Sequence, residues 1–203
     1  ISGLVGSEMC IRDRYIGDAV MALFPTSAED AVLAAVEMNK QLAVYNSDEP
    51  TSGKDPVNMG VGIHIGQLVL GTIGRELRME TTVISDTVNA SARLENLNKT
   101  YKTNVLISGA VRDELSPDIQ SFCRLIDRTQ VKGKVEFLDV YEVYLTDDEP
   151  LAEAKSKSKK VLTSIVDSYY LGDIKAAKKI LGELEDDTKK DTVISFWKTR
   201  LKT

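Results

Sequence analysis

"TVISDTVNASARLE", residues 82–95, is the stretch whose reading decides the fold. Thr82, Val83 and Ile84 are β-branched, stiff at χ1 and suited to a pleated surface, so they predict a strand. Ser85-Asp86 interrupts the run, and Asp86 is a residue type that caps a helix by accepting bonds from its first amides. Beyond it Ala90, Leu94, Leu97 and Tyr101 recur at i, i+4, i+7 and i+11, which predicts a helix with an apolar stripe toward the core. Asn89 and Arg93, also four apart, share a neighbouring face near the helix start. A strand, a turn and a helix that carries two polar residues in its early turns mark a site.

Upstream, Tyr15-Ile16 and Ala19–Phe24 flank Gly17-Asp18, and a two-residue turn with Gly first predicts a type II′ hairpin with Asp18 at its tip. Ser27 followed by Asp30 opens a helix that carries Val32, Ala35, Val36, Leu42 and Ala43 toward Tyr45. Residues 46–56 read as a loop. From Val57 to Ile65 apolar residues alternate with Asn58, Gly60, Gly62 and His64, the period of a half-buried strand, and Gly71 and Gly74 bracket a turn after Leu68-Val69-Leu70. Downstream of the quoted stretch, Asn104–Ser108 reads as a strand, Ser108–Leu115 as a short helix, and Val135–Leu145 as a strand after a tight turn at Val131-Lys132-Gly133-Lys134. Hairpins and helices in one sheet make the expected class α+β.

The alternation ends at Asp147-Asp148-Glu149-Pro150, where a Lys-rich, Ala-rich segment begins, so a boundary is expected there. Helices are predicted at Ala152–Leu171 and Ile174–Leu184 with a break at Gly172-Asp173, then a short one ending near Leu201. That break followed by Ala176-Ala177 resembles one helical hairpin of the tetratricopeptide kind, too little for an array. Lys155, Lys157, Lys159 and Lys160 read as a solvated basic face.

The 203 residues, 42% apolar, suffice for one domain and an appendage. A net charge of -5 argues against nucleic acid as a partner. No run reaches the length of a membrane helix, so a membrane is expected only through a segment further upstream, and a cytoplasmic setting fits two cysteines, Cys10 and Cys123, read as unpaired thiols. His64, the one histidine, sits in an alternating strand and reads as structural.

Singly, Asp18 is a turn residue, Asn89 and Arg93 a solvated pair, and Lys132 a decoration of a turn. Together they suit phosphoryl transfer from a nucleoside triphosphate. A carboxylate on a tight turn can hold Mg²⁺, which prefers oxygen ligands and brings substrate phosphates with it. Arg93 offers a planar fork to a phosphoryl group whose charge grows in the transition state, and Lys132 a point charge for the outer phosphates.

With these residues in place, the sequence resembles the class III adenylate/guanylate cyclases through "YIGDAVMALF" (15–24), "GVGIHIGQLVLGTIG" (60–74), "RMETTVISDTVNASARLE" (78–95) and "VKGKVEFLDVYEV" (131–143). The motifs keep the family's order and spacing over residues 15 to about 146. The resemblance implies a ferredoxin-like α+β domain, its first strand and helix missing here, followed by a C-terminal helical hairpin over 147–203. It implies conversion of ATP, or GTP, to the cyclic 3′,5′-monophosphate and pyrophosphate, with two Mg²⁺ or Mn²⁺ ions. It also implies a homodimer or a cyclase-domain partner, because each site takes residues from two domains. By motif position Asp18 resembles the second metal-binding aspartate, Asn89 the ribose-orienting residue, Arg93 the residue that stabilises the reacting phosphate, Lys132 the triphosphate lysine, and Thr82 the second base reader. Thr at that position tilts the expectation toward ATP.

Departures from the pattern set a second expectation. The first metal aspartate, in a Phe-x-Asp-Ile-like motif upstream of the hairpin, and the base-reading lysine have no counterpart, and Met9, Cys10, Arg12 and Arg14 occupy the run into the hairpin. Residues 1–14, with "VGSEMCIRDR", resemble translated library-adapter sequence and are expected to be a non-native leader. Ser85 replaces a usual Gly, Thr81 an aromatic, Ile65 a Thr and Gln67 a Pro. The chain alone is therefore expected to turn over little substrate, and the competing reading is a catalytically silent cyclase-like module that pairs with another protein.

Overall fold

The computed structural model describes residues 12–48, 55–75, 78–84, 86–130, 137–184 and 191–202. Along the chain run β1 (Arg12–Ile16), β2 (Ala19–Leu23), α1 (Ala28–Asp48), β3 (Val61–Ile63), β4 (Val69–Arg75), β5 (Arg78–Ile84) and α2 (Asp86–Tyr101). There follow β6 (Val105–Ser108), α3 (Gly109–Asp113), α4 (Pro117–Ser121), β7 (Cys123–Gln130), β8 (Phe137–Val143), α5 (Glu149–Tyr170), α6 (Ile174–Gly182) and α7 (Thr192–Arg200). The centre is a four-stranded sheet in the order β3-β6-β8-β7. β3 runs parallel to β6 and the other neighbours are antiparallel. The class is α+β, as the sequence implies, but the hairpins β1-β2 and β4-β5 stand as two-stranded sheets of their own among the described residues, not within one sheet.

Successive side chains of a strand point to opposite faces, and β6 divides its apolar residues accordingly. Val105 and Ile107 join Val32, Ala35 and Val36 of α1, together with Cys123 and Val143, in one buried cluster. Leu106 faces the other way and joins Leu94 and Tyr101 of α2. That second cluster continues through Ile126 and Val140 into Leu162, Ile165, Val166, Val193 and Trp197, so one apolar core spans residues on both sides of Asp147. Each large side chain fully removed from water contributes about 1.5–3 kcal/mol, enough to hold the C-terminal helices on the sheet.

Those helices start and stop where their sequence dictates. Asp148 accepts from Leu151 N at 3.1 Å to cap α5, and Asp173 accepts from Ala176 N at 2.9 Å to cap α6. Between them Gly172 takes φ +84°, a conformation glycine adopts without steric cost, and the chain reverses.

Several sequence expectations are corrected. The alternation from Val57 to Ile65 yields only the short β3, because among the described residues β3 pairs with β6 alone and their register covers just Val61–Ile63. Val57 and Ile65 are exposed, and the Asn46 side chain bonds the Val57 backbone in place of a strand. Gly71 and Gly74 do not bracket a turn; they lie inside β4, opposite Thr82 and Met79. The Lys-rich stretch is not one solvated face. Lys155 is buried against Glu142 and Asp147, at 2.7 and 2.5 Å, and Lys159 donates to the Gln120 and Ser121 carbonyls. β7 and α4 have no counterpart in the sequence reading.

Candidate active site

The hairpin tip is set by backbone conformation. Ile16 pairs with Ala19, leaving a two-residue turn in which Gly17 has φ +65° and Asp18 does not enter the left-handed region, the pattern of type II′. A Cβ at Gly17 meets nothing within 4 Å, so conformation and not space calls for glycine there. Asp18 is exposed.

α2 is placed by its close approach to β3. A Cβ on Gly62 would lie 2.2 Å from Glu95 N and 2.3 Å from Ser91 O, so the helix backbone rests directly on the glycine. Asn98, buried, donates to the Val61 carbonyl at 3.0 Å and accepts from Thr103 Oγ1 at 3.0 Å, locking the second half of the helix. Near its start Thr87 Oγ1 donates to the Gln67 carbonyl at 3.2 Å. This framework carries Asn89, exposed, and one turn later Arg93, half-buried, whose Nη1 donates to the Gln130 carbonyl at the end of β7.

Thr82 stands in β5 opposite Gly71, two residues before the strand ends. Lys132 and Ser85 lie outside the described residues, as do Cys10 and most of the run 1–14. The structure thus brings Asn89 and Arg93 onto one helix and ties Arg93 to the residue from which the Lys132 segment departs. No hydrogen bond or ion pair among the described residues joins Asp18 to either of them. His64 has the structural setting expected, with Nδ1 2.8 Å from Ser108 Oγ, the buried hydroxyl that caps α3.

The donor set does not fit a two-ion site by itself. Asp18 is a single exposed carboxylate, and among the described residues no group of three or more His, Cys, Asp or Glu side chains could hold a metal. Sequence reasoning missed Gln130 and the role of Gly62. The signal for Gly62 was present, since a glycine in a strand interior marks a close backbone approach, whereas nothing local announces a backbone acceptor for Arg93.

A sequence model described as the adenylate and guanylate cyclase catalytic domain matches residues 1–146. The chain belongs to this family. Cyclase domains of the family bind nucleotides, work as dimers and are in general metal-dependent. Among similar proteins, an adenylate cyclase of Anabaena cylindrica is 42% identical over 137 residues, covering 64% of this chain and 27% of its own length. The terminal-differentiation-specific adenylate cyclase of Dictyostelium discoideum is 40% identical, covering 64% of this chain and 6% of its own. The cyclase domain here therefore spans well under a third of those relatives. Among solved structures, the guanylyl cyclase Cya2 superposes with a TM-score of 0.55 at 29% identity, covering 69% of this chain and 72% of its own. The adenylyl cyclase CyaB of P. aeruginosa gives 0.51 at 26%, covering 64% and 69%. No helix of the described residues is long and apolar enough to cross a membrane.

Proposed function

We propose that this cyclase domain forms 3′,5′-cyclic AMP and pyrophosphate from ATP. The 3′-hydroxyl oxygen bonds to the α-phosphorus and the bond from that phosphorus to the oxygen bridging the β-phosphate breaks. Pyrophosphate leaves with that electron pair and the hydroxyl proton passes to solvent. Arg93 meets the charge that grows on the α-phosphate, Asn89 orients the ribose, Lys132 neutralises the outer phosphates and Thr82 reads the base. Asp18 supplies one carboxylate to the Mg²⁺ or Mn²⁺ ions of the complete site.

The observation that carries this reading is α2 seated on Gly62 with Asn89 and Arg93 one turn apart, Arg93 tethered at the end of β7. A site shared between two protomers, Asp18 from one and the α2 pair from its mate, accords with the family's cyclase domains working as dimers. The relatives named adenylate cyclase, and Thr82, favour ATP. The likeness to Cya2 makes GTP the comparison substrate. In this reading the residues up to 146 carry the catalytic part, on the cytoplasmic side where ATP is available, and 147–203 are a helical tail.

The test is cyclic nucleotide formation from ATP and from GTP by the protein with its native upstream sequence. Arg93→Ala is expected to lower turnover about 10²–10³-fold, the scale for losing one transition-state donor; undiminished turnover removes Arg93 from its role. That no group of three or more metal-ligating side chains occurs among the described residues favours one competing reading, a silent module that dimerises with another cyclase domain. Stable pairing without turnover from either nucleotide, even with the upstream sequence restored, supports that alternative.

A further inference from the structure

β7 is the end strand of the four-stranded sheet, and the C-terminal segment bonds to it at Arg124, Ile126, Asp127 and Arg128. From Asp127 to Gln130 the pairing is regular, so the Arg128 and Gln130 carbonyls project to one side, and Ile126 lies at the register shift between Leu125 and Asp127. Each of these three carbonyls is taken by a side chain. Trp197 Nε1 donates to the Ile126 carbonyl at 2.8 Å, the Tyr170 hydroxyl shares its one proton between the Arg128 carbonyl and the Asp127 carboxylate, and Arg93 Nη1 donates to the Gln130 carbonyl. Two of the three donors come from α5 and α7; the third is the arginine proposed to act on the phosphate.

The strand's side chains are held from the same direction. Arg124 pairs with both oxygens of Asp191 at 2.5 and 2.9 Å, Asp127 with Arg200 at 2.7 Å and with Tyr170 Oη at 2.9 Å, and Arg128 with Asp167 at 2.6 Å. Trp197 is fully buried, and the Arg200 guanidinium stacks 4.4 Å from the Tyr169 ring centre.

An arginine on a helix has a long arm with many rotamers, and a fixed acceptor removes part of that freedom before substrate arrives. A backbone carbonyl is such an acceptor only if its strand does not move. We propose that Tyr170 and Trp197 are positioning residues for Arg93: by holding the neighbouring carbonyls of β7 they fix the Gln130 carbonyl that orients the guanidinium. The C-terminal helices are then a brace for the catalytic arginine. This inference rests on the role given to Arg93 above.

Tyr170→Phe removes the donating hydroxyl and keeps the ring that packs edge-on against Phe137 and Tyr169. In the protein with its native upstream sequence, kcat is expected to fall about tenfold, as for a small misplacement of a reacting group. KM for the nucleotide is expected to stay within about twofold, since ground-state binding is untouched. In an Arg93→Ala background the same substitution is expected to cost nothing further, because the two changes act through one group. An equal loss in both backgrounds, or unchanged kcat in the first, overturns the proposal. A second readout needs no turnover: the Arg93 Nε–H resonance of the 203-residue chain is expected to be resolved and to shift or broaden in Tyr170→Phe and in Trp197→Phe. A resonance that neither variant alters overturns the brace. If the native protein cyclises neither ATP nor GTP, it is the functional reading that fails, and the resonance still decides the brace.

Discussion

The two faces of the central sheet are covered by opposite means. Toward α1 the contacts are aliphatic, Val32, Ala35 and Val36 against Val105, Ile107 and Val143. Toward the C-terminal helices the apolar cluster is bordered by charge buried in the sheet itself. Arg124, wholly buried, meets Glu142 at 2.7 Å and Asp191 at 2.5 Å, and Lys155 bridges Glu142 and Asp147. Burial alone would weaken the charge on Arg124, but Glu142 and Asp191 outweigh it and hold its pKa above the usual arginine value. Apolar contact is non-directional and tolerates repacking, whereas a desolvated ion pair contributes only in one geometry and is costly to break by halves. The first face supplies cohesion, and the second fixes where the C-terminal helices sit.

The largest effect expected from this contrast is at Asp191. Asp191→Ala removes one of the two carboxylates that hold the buried Arg124 guanidinium, together with the cap of α7, and costs about 3–5 kcal/mol, to be read as a drop in the denaturant midpoint. A loss under about 1 kcal/mol, the size expected for an exposed pair, would erase the difference between the faces. On the aliphatic side Ile107→Val should cost about 0.5–1.5 kcal/mol, the ordinary price of one buried methylene.

A smaller separation is expected with pH. Burial would raise the Asp191 carboxyl, but its bonds and charge interaction with Arg124 prevail and lower it below 3.8. A depressed carboxyl contributes stability that is fully present above its unfolded value and is lost as pH falls through the folded one. Asp147 acts in the opposite sense: burial outweighs Lys155 and raises it above 3.8, so its contribution is present in acid and declines as pH rises through its folded value. Unfolding midpoints measured downward from pH 4 should therefore fall more steeply in the parent than in Asp191→Asn, and Asp147→Asn should leave that acid limb in place. The smallest effect concerns the aliphatic face. Burial pushes the Cys123 thiol up to about 11, so in a Cys10→Ser variant it should resist a thiol reagent at neutral pH until the protein unfolds. Ready labelling of the folded protein would show that this face admits water.

The same contrast explains which parts were legible in the sequence. α1 and α2 announce themselves because each carries an apolar stripe, and α1 also begins with a local signal, Asp30 N donating to Ser27 Oγ at 3.2 Å; Asp86, read as the cap of α2, is that helix's first residue. The hairpin at Gly17-Asp18 is a local event too. β7 was not legible: Arg124, Asp127 and Arg128 break any apolar period, and the strand is buried only because partners far along the chain neutralise it, Asp191 67 residues on and Arg200 73. Lys155 was misread for the same reason, since its acidic partners lie in β8 and at Asp147, not on its own helix. Of the candidate site, Asn89 and Arg93 followed from helix periodicity. The Gln130 acceptor did not, because a carbonyl has no sequence signature.

The occupied carbonyls of β7 carry one more consequence. An end strand with unclaimed acceptors is a template on which a stray polypeptide can zip, the first step toward fibrous growth. Here Trp197, Tyr170 and Arg93 occupy three of those carbonyls with side-chain donors, which takes these acceptors away from any polypeptide that would zip onto that border.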